Sequence, residues 1–331
     1  MTVKEIADAS GVSTATVSRV LNNGPVKKET KEKVEAAIRS MNHIPDDLTK
    51  TVLATAQKAY AIVTHSVTNY FSMEFVETVI NRCEKNDILV YVNRSDTYDA
   101  QYKSICDLLS RGVEGIILHD PPLSEYDPEF LKKLSQRIPL VLVHSDPRIF
   151  DINAVMVDQE FGMRRATRFL LDQGLTRQLF VRGETGFSFD LKQRVWEEEL
   201  KVAGVYSDEQ QVLVIKGADR EMGVEASYNQ VFEALQGKNH PNAIFTCNDI
   251  MGVGALRAIE DAGLKVPQDI SLLSHDNTIL GSNFKISSVD LKISSLAHAA
   301  LDLLDYAISG EDNEPRKILI TPDLNLRSTT K

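Results

Sequence analysis

The chain has few cysteines and no long apolar run. Its three cysteines, Cys83, Cys106 and Cys247, are widely spaced and form no CxxC pair, so the sequence predicts neither a disulfide framework nor a zinc site. The longest apolar stretches, such as Ile138 to Val143, have the length of a strand, whereas a membrane-spanning helix needs roughly 18 apolar residues. Residues 1–10 are polar and lack the apolar segment of a signal peptide. We therefore expect a cytoplasmic protein with no membrane contact.

The sequence also lacks the motifs of common enzymes. It contains no Walker A loop, no GxSxG elbow and no HExxH, and the segment Gly252 to Gly254 begins a predicted helix without the third glycine of a dinucleotide-binding loop. The seven histidines, including His65, His119 and His144 near predicted strand ends, have no metal-ligand spacing. Each is interpreted as a polar residue at a strand end rather than as a ligand. We expect no enzymatic activity, no cofactor and no metal site.

The chain has an ordinary globular composition with an uneven distribution of charge. Its 331 residues are 43% hydrophobic and 25% charged, which favours two or three domains. The net charge is −10, but residues 1–58 hold nine Lys or Arg against seven Asp or Glu. A weakly basic head on an acidic body fits DNA contact that is confined to the head. Charge alone leaves ordinary compositional variation as an equal alternative.

The first 45 residues have the pattern of a helix-turn-helix unit. Apolar residues recur at helical spacing from Val3 to Ser10, Gly11 ends that run, and Ser13 can cap a second helix from Thr14 to Leu21. A third helix is predicted to run to about Met41. Three short helices with a glycine in the first turn are typical of this DNA-binding unit.

The second helix carries the candidate DNA contacts. Val17, Val20 and Leu21 form its apolar face, so its polar side chains point away from the core of the head. Hydroxyl groups near a helix start can donate to phosphates, and arginine can pair bidentately with guanine in the major groove. The alternative is an ordinary solvated helix face. The predicted contacts are Thr14, Ala15, Thr16, Ser18, Arg19 and Asn22, with Arg19 and Thr14 reading bases and Thr16 and Ser18 holding phosphate.

From residue 60 onward, short runs rich in Val and Ile alternate with helical patterns, which is typical of parallel βαβ units. Strands are predicted at residues 61–64, 88–92, 115–118, 140–143, 155–157, 179–181, 212–215, 243–246 and 270–274, and helices at 73–85, 164–172, 224–235 and 252–261. Because this series contains too many strands for one sheet, we predict a doubly wound α/β core of two lobes with a cleft between them. The predicted boundaries are 1–45 for the head, 46–58 for a linker, and 59–331 for the core, with a first lobe of 59–157 and 289–318 and a second lobe of 158–288 and 319–331.

Several segments resemble one known family. Residues 3–7 (VKEIA), 11–22 (GVSTATVSRVLN) and 33–45 (KVEAAIRSMNHIP) are similar to the DNA-binding head of the LacI/GalR bacterial transcription regulators. In the body, residues 246–256 and 266–271 resemble the C-terminal lobe of that family. The resemblance extends over essentially the whole chain. It implies a periplasmic-binding-protein-like core, a homodimer on a near-palindromic double-stranded DNA operator, and control of operator binding by a small effector in the cleft.

The resemblance also implies a hinge after the head, which folds on DNA and inserts an apolar wedge into the minor groove. The matching residues are 45–53, in which Val52 occupies the wedge position and Leu53 is the alternative after a one-residue shift. The segment departs from the family pattern at several positions, among them Asp46. A carboxylate near phosphates and a β-branched wedge should weaken folding of the hinge.

Similarity to the family also places an effector site beside strand ends in both lobes. The predicted effector contacts are Tyr70, Phe71, Lys192, Trp196, Asn248, Asp249 and Asp276. Tyr70 and Phe71 follow the first strand, where an aromatic ring can stack on a sugar or a base, and plain core packing is an equal alternative. Lys192 stands where the family has an arginine, so a planar bidentate donor has become a point charge.

The resulting hypothesis is a repressor that binds DNA under the control of an effector. By family resemblance the effector is a carbohydrate or a carbohydrate derivative, and a nucleobase or nucleoside is the alternative. Altered cleft positions, such as Val195 in place of a glycine, keep open a regulator without effector control. A solute-binding protein with a vestigial head is opposed by the intact head motif. A sugar-modifying α/β enzyme would need a nucleophile or metal constellation that the sequence lacks.

Overall fold

The chain forms two compact units, residues 1–58 and residues 59–331. A computed structural model describes residues 3–22, 24–42, 58–95, 97–121, 126, 128–144, 151–184, 186–207, 212–216, 223–237, 240–310 and 314–331. Across these ranges, no helix combines the length and the apolar character needed to cross a membrane.

The N-terminal unit contains the three helices that the sequence predicts. They are α1 (Val3–Ser10), α2 (Thr14–Leu21) and α3 (Lys28–Asn42). Helix α1 ends at Gly11, whose φ of +69° is a left-handed conformation that glycine adopts without strain. Before α2, Ser13 Oγ accepts a hydrogen bond from Thr16 N at 3.2 Å, which is the N-cap that the sequence predicts. The helices close around an apolar core of Ile6, Ala7, Val17, Val20, Val34 and Ile38.

The larger unit is built on two sheets. The described strands are β1 (Ala59–Thr64), β2 (Leu89–Arg94), β3 (Gly115–His119), β4 (Leu140–Val143), β5 (Asn153–Val157), β6 (Gln178–Gly183), β7 (Val212–Ile215), β8 (Ala243–Thr246), β9 (Ser271–Asp276), β10 (Ser287–Asp290), β11 (Lys317–Ile320) and β12 (Asp323–Asn325). The first sheet has the order β11-β5-β4-β3-β1-β2, and its described pairs are parallel. The second sheet has the order β12-β10-β9-β8-β6-β7, and its β10–β12 edge pair is antiparallel. We call each sheet with its helices a lobe.

Helices cover the sheets. They are α4 (Tyr70–Glu84), α5 (Tyr98–Ser110), α6 (Pro128–Ser135), α7 (Gln159–Asp172), α8 (Phe187–Val202), α9 (Gly223–Ala234), α10 (Asp249–Asp261), α11 (Ile279–Asn283) and α12 (Ile293–Ser309). Strands β1, β3 and β4 of the first sheet are buried along their whole length, as are β6, β8 and β9 of the second. Strands that are covered on both faces need continuous apolar runs, and such runs made them predictable from the sequence.

The predicted lobe boundaries differ from the sheets by a few residues. Strand β10 lies beside β9 in the second sheet, although the predicted boundary assigns its last two residues to the first lobe. Strand β11 belongs to the first sheet as far as Ile320, two residues beyond the predicted boundary. The sequence predicts no strand at β10, β11 or β12, because each is short and none forms a continuous run of buried apolar residues.

Candidate DNA-reading helix and effector site

Helix α2 presents a polar face outside the apolar core of its unit. Val17 and Val20 are buried in that core and hold the helix in place. The side chains of Thr14, Ala15, Ser18, Arg19 and Asn22 are exposed, and that of Thr16 is half-buried. The exposed set thus coincides with the face that the sequence assigns to DNA. Val52 and Leu53 lie outside the described residues, and the minor-groove wedge stays a prediction.

Two of the predicted DNA contacts also hold the ends of α2. Thr16 Oγ1 lies 2.9 Å from Ser13 Oγ, which also accepts from Thr16 N, so Thr16 supports the N-cap. Asn22 Nδ2 donates to Ser18 O at 2.9 Å and satisfies one of the last carbonyls of the helix. These contacts fix the start and the end of the helix that presents Arg19.

In the larger unit, polar residues collect where strands of both sheets end. His119 ends β3 and His144 follows β4, whereas Asp276 ends β9 and Asp249 follows β8 after two residues. The carboxyl ends of parallel strands are where open α/β folds bind ligands. The backbone is left-handed at His144, with φ +57°, and at Asp276, with φ +101°. Such conformations cost about 1–3 kcal/mol in residues other than glycine and cluster at functional sites.

Asp276 is the centre of a buried charge cluster. Lys192 Nζ, on α8, lies 4.0 Å from Asp276 Oδ1 and donates to Cys247 O at 3.0 Å. His275 Nδ1 lies 3.0 Å from the same oxygen of Asp276. Burial raises the pKa of Asp276 to about 7, although the charge of Lys192 opposes this shift. Burial also lowers the pKa of His275 well below its ordinary value. The carboxylate therefore changes charge near neutral pH while the neighbouring imidazole stays neutral.

Asp249 and Asn248 are engaged with the protein itself. The Asp249 carboxylate accepts from Thr278 N at 2.6 Å, from Thr278 Oγ1 at 2.9 Å and from Ser288 Oγ at 3.0 Å. Burial is the main cause that raises the pKa of Asp249 to about 6. Asn248 Oδ1 accepts from Met251 N at 2.9 Å and caps α10. Both side chains thus position the loops around the cluster, and direct ligand contact by either stays a prediction.

On the first lobe, Phe71 packs against two histidines. Its ring centroid lies 4.3 Å from that of His144 and 5.6 Å from that of His119, and 5% of the residue is exposed. The sequence left ligand stacking and core packing open for Phe71, and the structure favours core packing, because His144 lies against its ring. Tyr70, the first residue of α4, is half-buried.

His119 and His144 of this lobe are neutral. Burial lowers the pKa of His144 to about 3 and that of His119 well below its ordinary value. The sequence places these residues correctly at strand ends but does not reveal that His144 lies close enough to His275 for their charges to interact. In the described part of the chain, no group of His, Cys, Asp and Glu side chains has an arrangement that could hold a metal ion.

Glu74 joins the two lobes. Its Oε1 accepts a hydrogen bond from Ile279 N, at the start of α11, at 2.6 Å. Burial raises the pKa of Glu74, and the negative charges of Asp249 and Asp276 add to the shift. Sequence reasoning missed Glu74, although it lies one helical turn after Tyr70 and so shares its face of α4. Carboxylates from both lobes therefore meet at this site.

Trp196 lies apart from the cluster. It is 1% exposed, its ring stacks on Phe180 with centroids 4.9 Å apart, and its Nε1 donates to Gln178 Oε1 at 2.8 Å. Gln178 is the first residue of β6, so Trp196 packs near the end of the strand that is opposite the ligand edge. The expectation that Trp196 lies near the cleft is wrong, because one helical turn carries it away from Lys192 and into the core of the lobe.

Comparison with known proteins defines the class of this chain. The sequence profile of bacterial regulatory proteins of the lacI family matches residues 2–46, and that of a periplasmic binding protein-like domain matches residues 167–330. The chain is 30% identical over 286 residues to the transcriptional repressor PurR of Photorhabdus laumondii, covering 83% of this chain and 80% of that protein. It is 26% identical over 337 residues to the transcriptional regulator DegA of Bacillus subtilis, covering 99% of this chain and 98% of that protein.

A solved structure shares the fold over its full length. The lac repressor dimer bound to operator and the anti-inducer ONPF has a TM-score of 0.72 with 23% identity, and the match covers 100% of this chain and 99% of that one. A helix-turn-helix unit followed by a two-lobed periplasmic-binding-protein-like core defines a DNA-binding transcriptional repressor. The chain belongs to the LacI family of bacterial regulatory proteins.

Proposed function

We propose that this repressor acts as a homodimer and that a small molecule, held between its two lobes, controls operator binding. The observation that carries the proposal is the buried cluster of Lys192, His275 and Asp276, which interacts with Glu74 and His144 of the other lobe. A ligand that contacts both lobes favours one lobe arrangement over others. By linkage, that ligand changes operator affinity, and operator binding changes ligand affinity by the same factor.

The exposed face of α2 is the proposed reading surface. Arg19 and Thr14 contact base edges, Thr16 and Ser18 contact phosphates, and Ala15 and Asn22 complete the face. Two copies related by a twofold axis occupy two half-sites, so the operator is near-palindromic. Val52 or Leu53 serves as the wedge between base pairs.

The proposed effector is a carbohydrate or a carbohydrate derivative. Carboxylates such as Asp276 accept hydrogen bonds from ligand hydroxyl groups, and a small number of such groups fixes the orientation of a ligand in its pocket. Because the ring of Phe71 is covered, it offers little surface for the stacking that a nucleobase would use. The half-buried Tyr70 supports a nucleobase or nucleoside as the second candidate.

The DNA contacts are tested by selecting bound duplexes from a random library with the full-length protein at stated salt. We expect a near-palindromic site. Arg19→Ala should weaken binding to that site by about 1–3 kcal/mol and relax the preference at one base position. Lys33→Ala, which alters an exposed residue of α3 paired with Glu29, should keep the preference. An equal loss on all sequences would make Arg19 a phosphate contact.

The effector site is tested by measuring operator affinity in the presence of sugars and nucleosides. Asp276→Ala should remove the response to any active compound, because it deletes the proposed ligand acceptor. The control Asp172→Asn, which alters an exposed residue at the end of α7, should keep the response of operator affinity to the compound. If no compound changes either operator affinity or thermal stability, the protein is a regulator without effector control.

A further inference from the structure

Two buried histidines have tautomers that follow from their hydrogen bonds. Thr64 Oγ1 donates its own hydrogen to Ser66 O at 3.1 Å, so His119 Nδ1, 3.1 Å from Thr64 Oγ1, carries the hydrogen that joins this pair. His275 Nδ1 lies 3.0 Å from Asp276 Oδ1, and above neutral pH, where that carboxyl is ionised, it donates to the carboxylate. A neutral imidazole has one donor and one acceptor nitrogen. The Nε2 atoms of His119 and His275 are therefore both acceptors.

These two acceptor nitrogens find no hydrogen-bond partner within the described ranges of the chain, and both histidines are 0% exposed. A buried polar atom without a partner costs about 1–3 kcal/mol, and folded proteins leave few such atoms without a functional reason. One of them belongs to each lobe, beside the strand ends that form the candidate effector site. Each nitrogen indicates a hydrogen-bond donor on the ligand.

The charge of the site is negative. Lys192 supplies a buried cation, but its ammonium group already donates a hydrogen bond to Cys247 O and pairs with the carboxylate of Asp276. Glu74 and Asp249 add carboxylates, and the negative charge of Asp249 contributes to the raised pKa of Glu74. The histidines add no charge because burial lowers their pKa values. Above neutral pH the carboxylates exceed the cation in number, and burial weakens the screening of an added anion.

Arg182, at the end of β6, is already paired. Its guanidinium donates to Asp190 Oδ1 at 2.6 Å, to Gln193 Oε1 at 2.7 Å and to Gly183 O at 2.9 Å. Arginine binds phosphate or carboxylate ligands through two parallel N–H donors. Because protein acceptors take the Arg182 donors, this residue does not provide a ready site for an anionic ligand.

Building on the proposed effector role, we propose that the effector is a neutral or positively charged molecule rich in O–H or N–H donors, such as an unphosphorylated sugar or an amino sugar. The site rejects the phosphate ester and the uronic acid of the same sugar. Donors of the effector satisfy the Nε2 atoms of His119 and His275, and the carboxylates of Glu74 and Asp276 accept further hydrogen bonds. Phosphate and carboxylate groups would instead bring acceptors and negative charge to a site that already has both.

The test uses matched sets of compounds, each a sugar with its amino derivative, its phosphate ester and its uronic acid. Each compound is titrated into the full-length protein above neutral pH, and both thermal unfolding and operator affinity are measured. We expect the active compounds to be neutral sugars or amino sugars. Their phosphate esters and uronic acids should bind at least about a hundredfold more weakly, because like charges brought together are strongly unfavourable.

A variant tests whether the carboxylates set this preference. Glu74→Gln removes one negative charge and keeps an oxygen that can accept from Ile279 N, so it should reduce the preference for the neutral ligand over its anionic form about tenfold. Glu84→Gln, exposed at the end of the same helix, should keep the preference. A cooperative thermal unfolding transition without ligand verifies that both variants fold.

The outcomes separate this inference from the function on which it rests. An anionic member that binds as tightly as its neutral parent would overturn the inference and leave effector control intact. If no member of any charge alters operator affinity or thermal unfolding, effector control fails, and the inference fails with it.

Discussion

Replacing Asp276 with asparagine should change how the stability of the larger unit depends on pH. Burial raises the pKa of this carboxyl from 3.8 to about 7, so the folded protein binds its proton more tightly than the unfolded chain does. Its contribution to stability is therefore complete below about pH 4 and is lost as the pH rises to about 7. Asparagine cannot ionise and lacks this dependence.

The size of the effect follows from the shift. The rise of the pKa of Asp276 from 3.8 to about 7 means that folding favours the protonated form over the ionised form by about 4 kcal/mol. The unfolding free energy of the wild type should fall by up to that amount relative to Asp276→Asn as the pH rises through this range. The variant also leaves Lys192, 4.0 Å away, without its nearest carboxylate. Loss of this contact also lowers the stability of the variant, so the change of the difference with pH, and not its absolute size, reports the Asp276 carboxyl.

Other groups around Asp276 shape the same curve. Asp249, whose pKa is about 6, and Glu74, whose pKa is raised, titrate nearby, while His144 and His275 have lowered pKa values. Asp249 and Glu74 remain in the variant, so the difference between variant and wild type largely isolates Asp276. Loss of the Asp276 charge also removes one cause of the raised pKa of Asp249. The stability of the variant therefore depends less on pH, and its difference from wild type changes more steeply with pH.

The assay is urea unfolding at a series of pH values, followed by the fluorescence of the single tryptophan. Trp196 is buried in the core of the second lobe, so its emission reports the unfolding of that lobe. Asp172→Asn serves as the control. The difference between its unfolding free energy and that of the wild type should not change with pH. If Asp276→Asn also differs from wild type by a constant amount between about pH 4 and pH 8, folding does not raise the pKa of the Asp276 carboxyl.

Two substitutions test local packing. Ser13→Ala removes the acceptor for Thr16 N and should destabilise α2 by about 1 kcal/mol. The first amides of α2 should then exchange hydrogen roughly fivefold faster. Unchanged exchange would show that the N-cap does not stabilise the helix. Gly254→Ala would place a Cβ 2.1 Å from Ser227 Oγ on the neighbouring helix and should cost about 1–3 kcal/mol in urea unfolding. Gly237→Ala, whose new Cβ meets nothing closer than 3.9 Å, is its control, and equal effects would contradict the packing argument.

The helices of the head are predictable because their determinants are local. Val17 and Val20 repeat at helical spacing, Gly11 supplies a left-handed residue after α1, and Ser13 caps α2. All of these contacts lie within a few residues of one another along the chain. Residue types and spacing therefore predict both the helices and the face that stays exposed.

The candidate effector site is predictable only in part. The sequence indicates that Asp276 follows a strand, and the structure places it at the carboxyl end of β9. The contact of Asp276 with Lys192 on α8 depends on how helix and sheet pack, which spacing does not reveal. Trp196 shows the same limit, because it shares a helix face with Lys192 yet packs on Phe180 in the core.

The sequence by itself determined the helix-turn-helix head, the alternation of strands and helices, and the placement of polar residues at strand ends, because periodicity and capping act over short distances along the chain. The tertiary structure alone decided which of these residues meet. It brought His144 of the first lobe close enough to His275 of the second for their charges to interact, and it joined Glu74 to Ile279. Burial then set their charges, since a pKa depends on the loss of water and on neighbours that are distant in sequence.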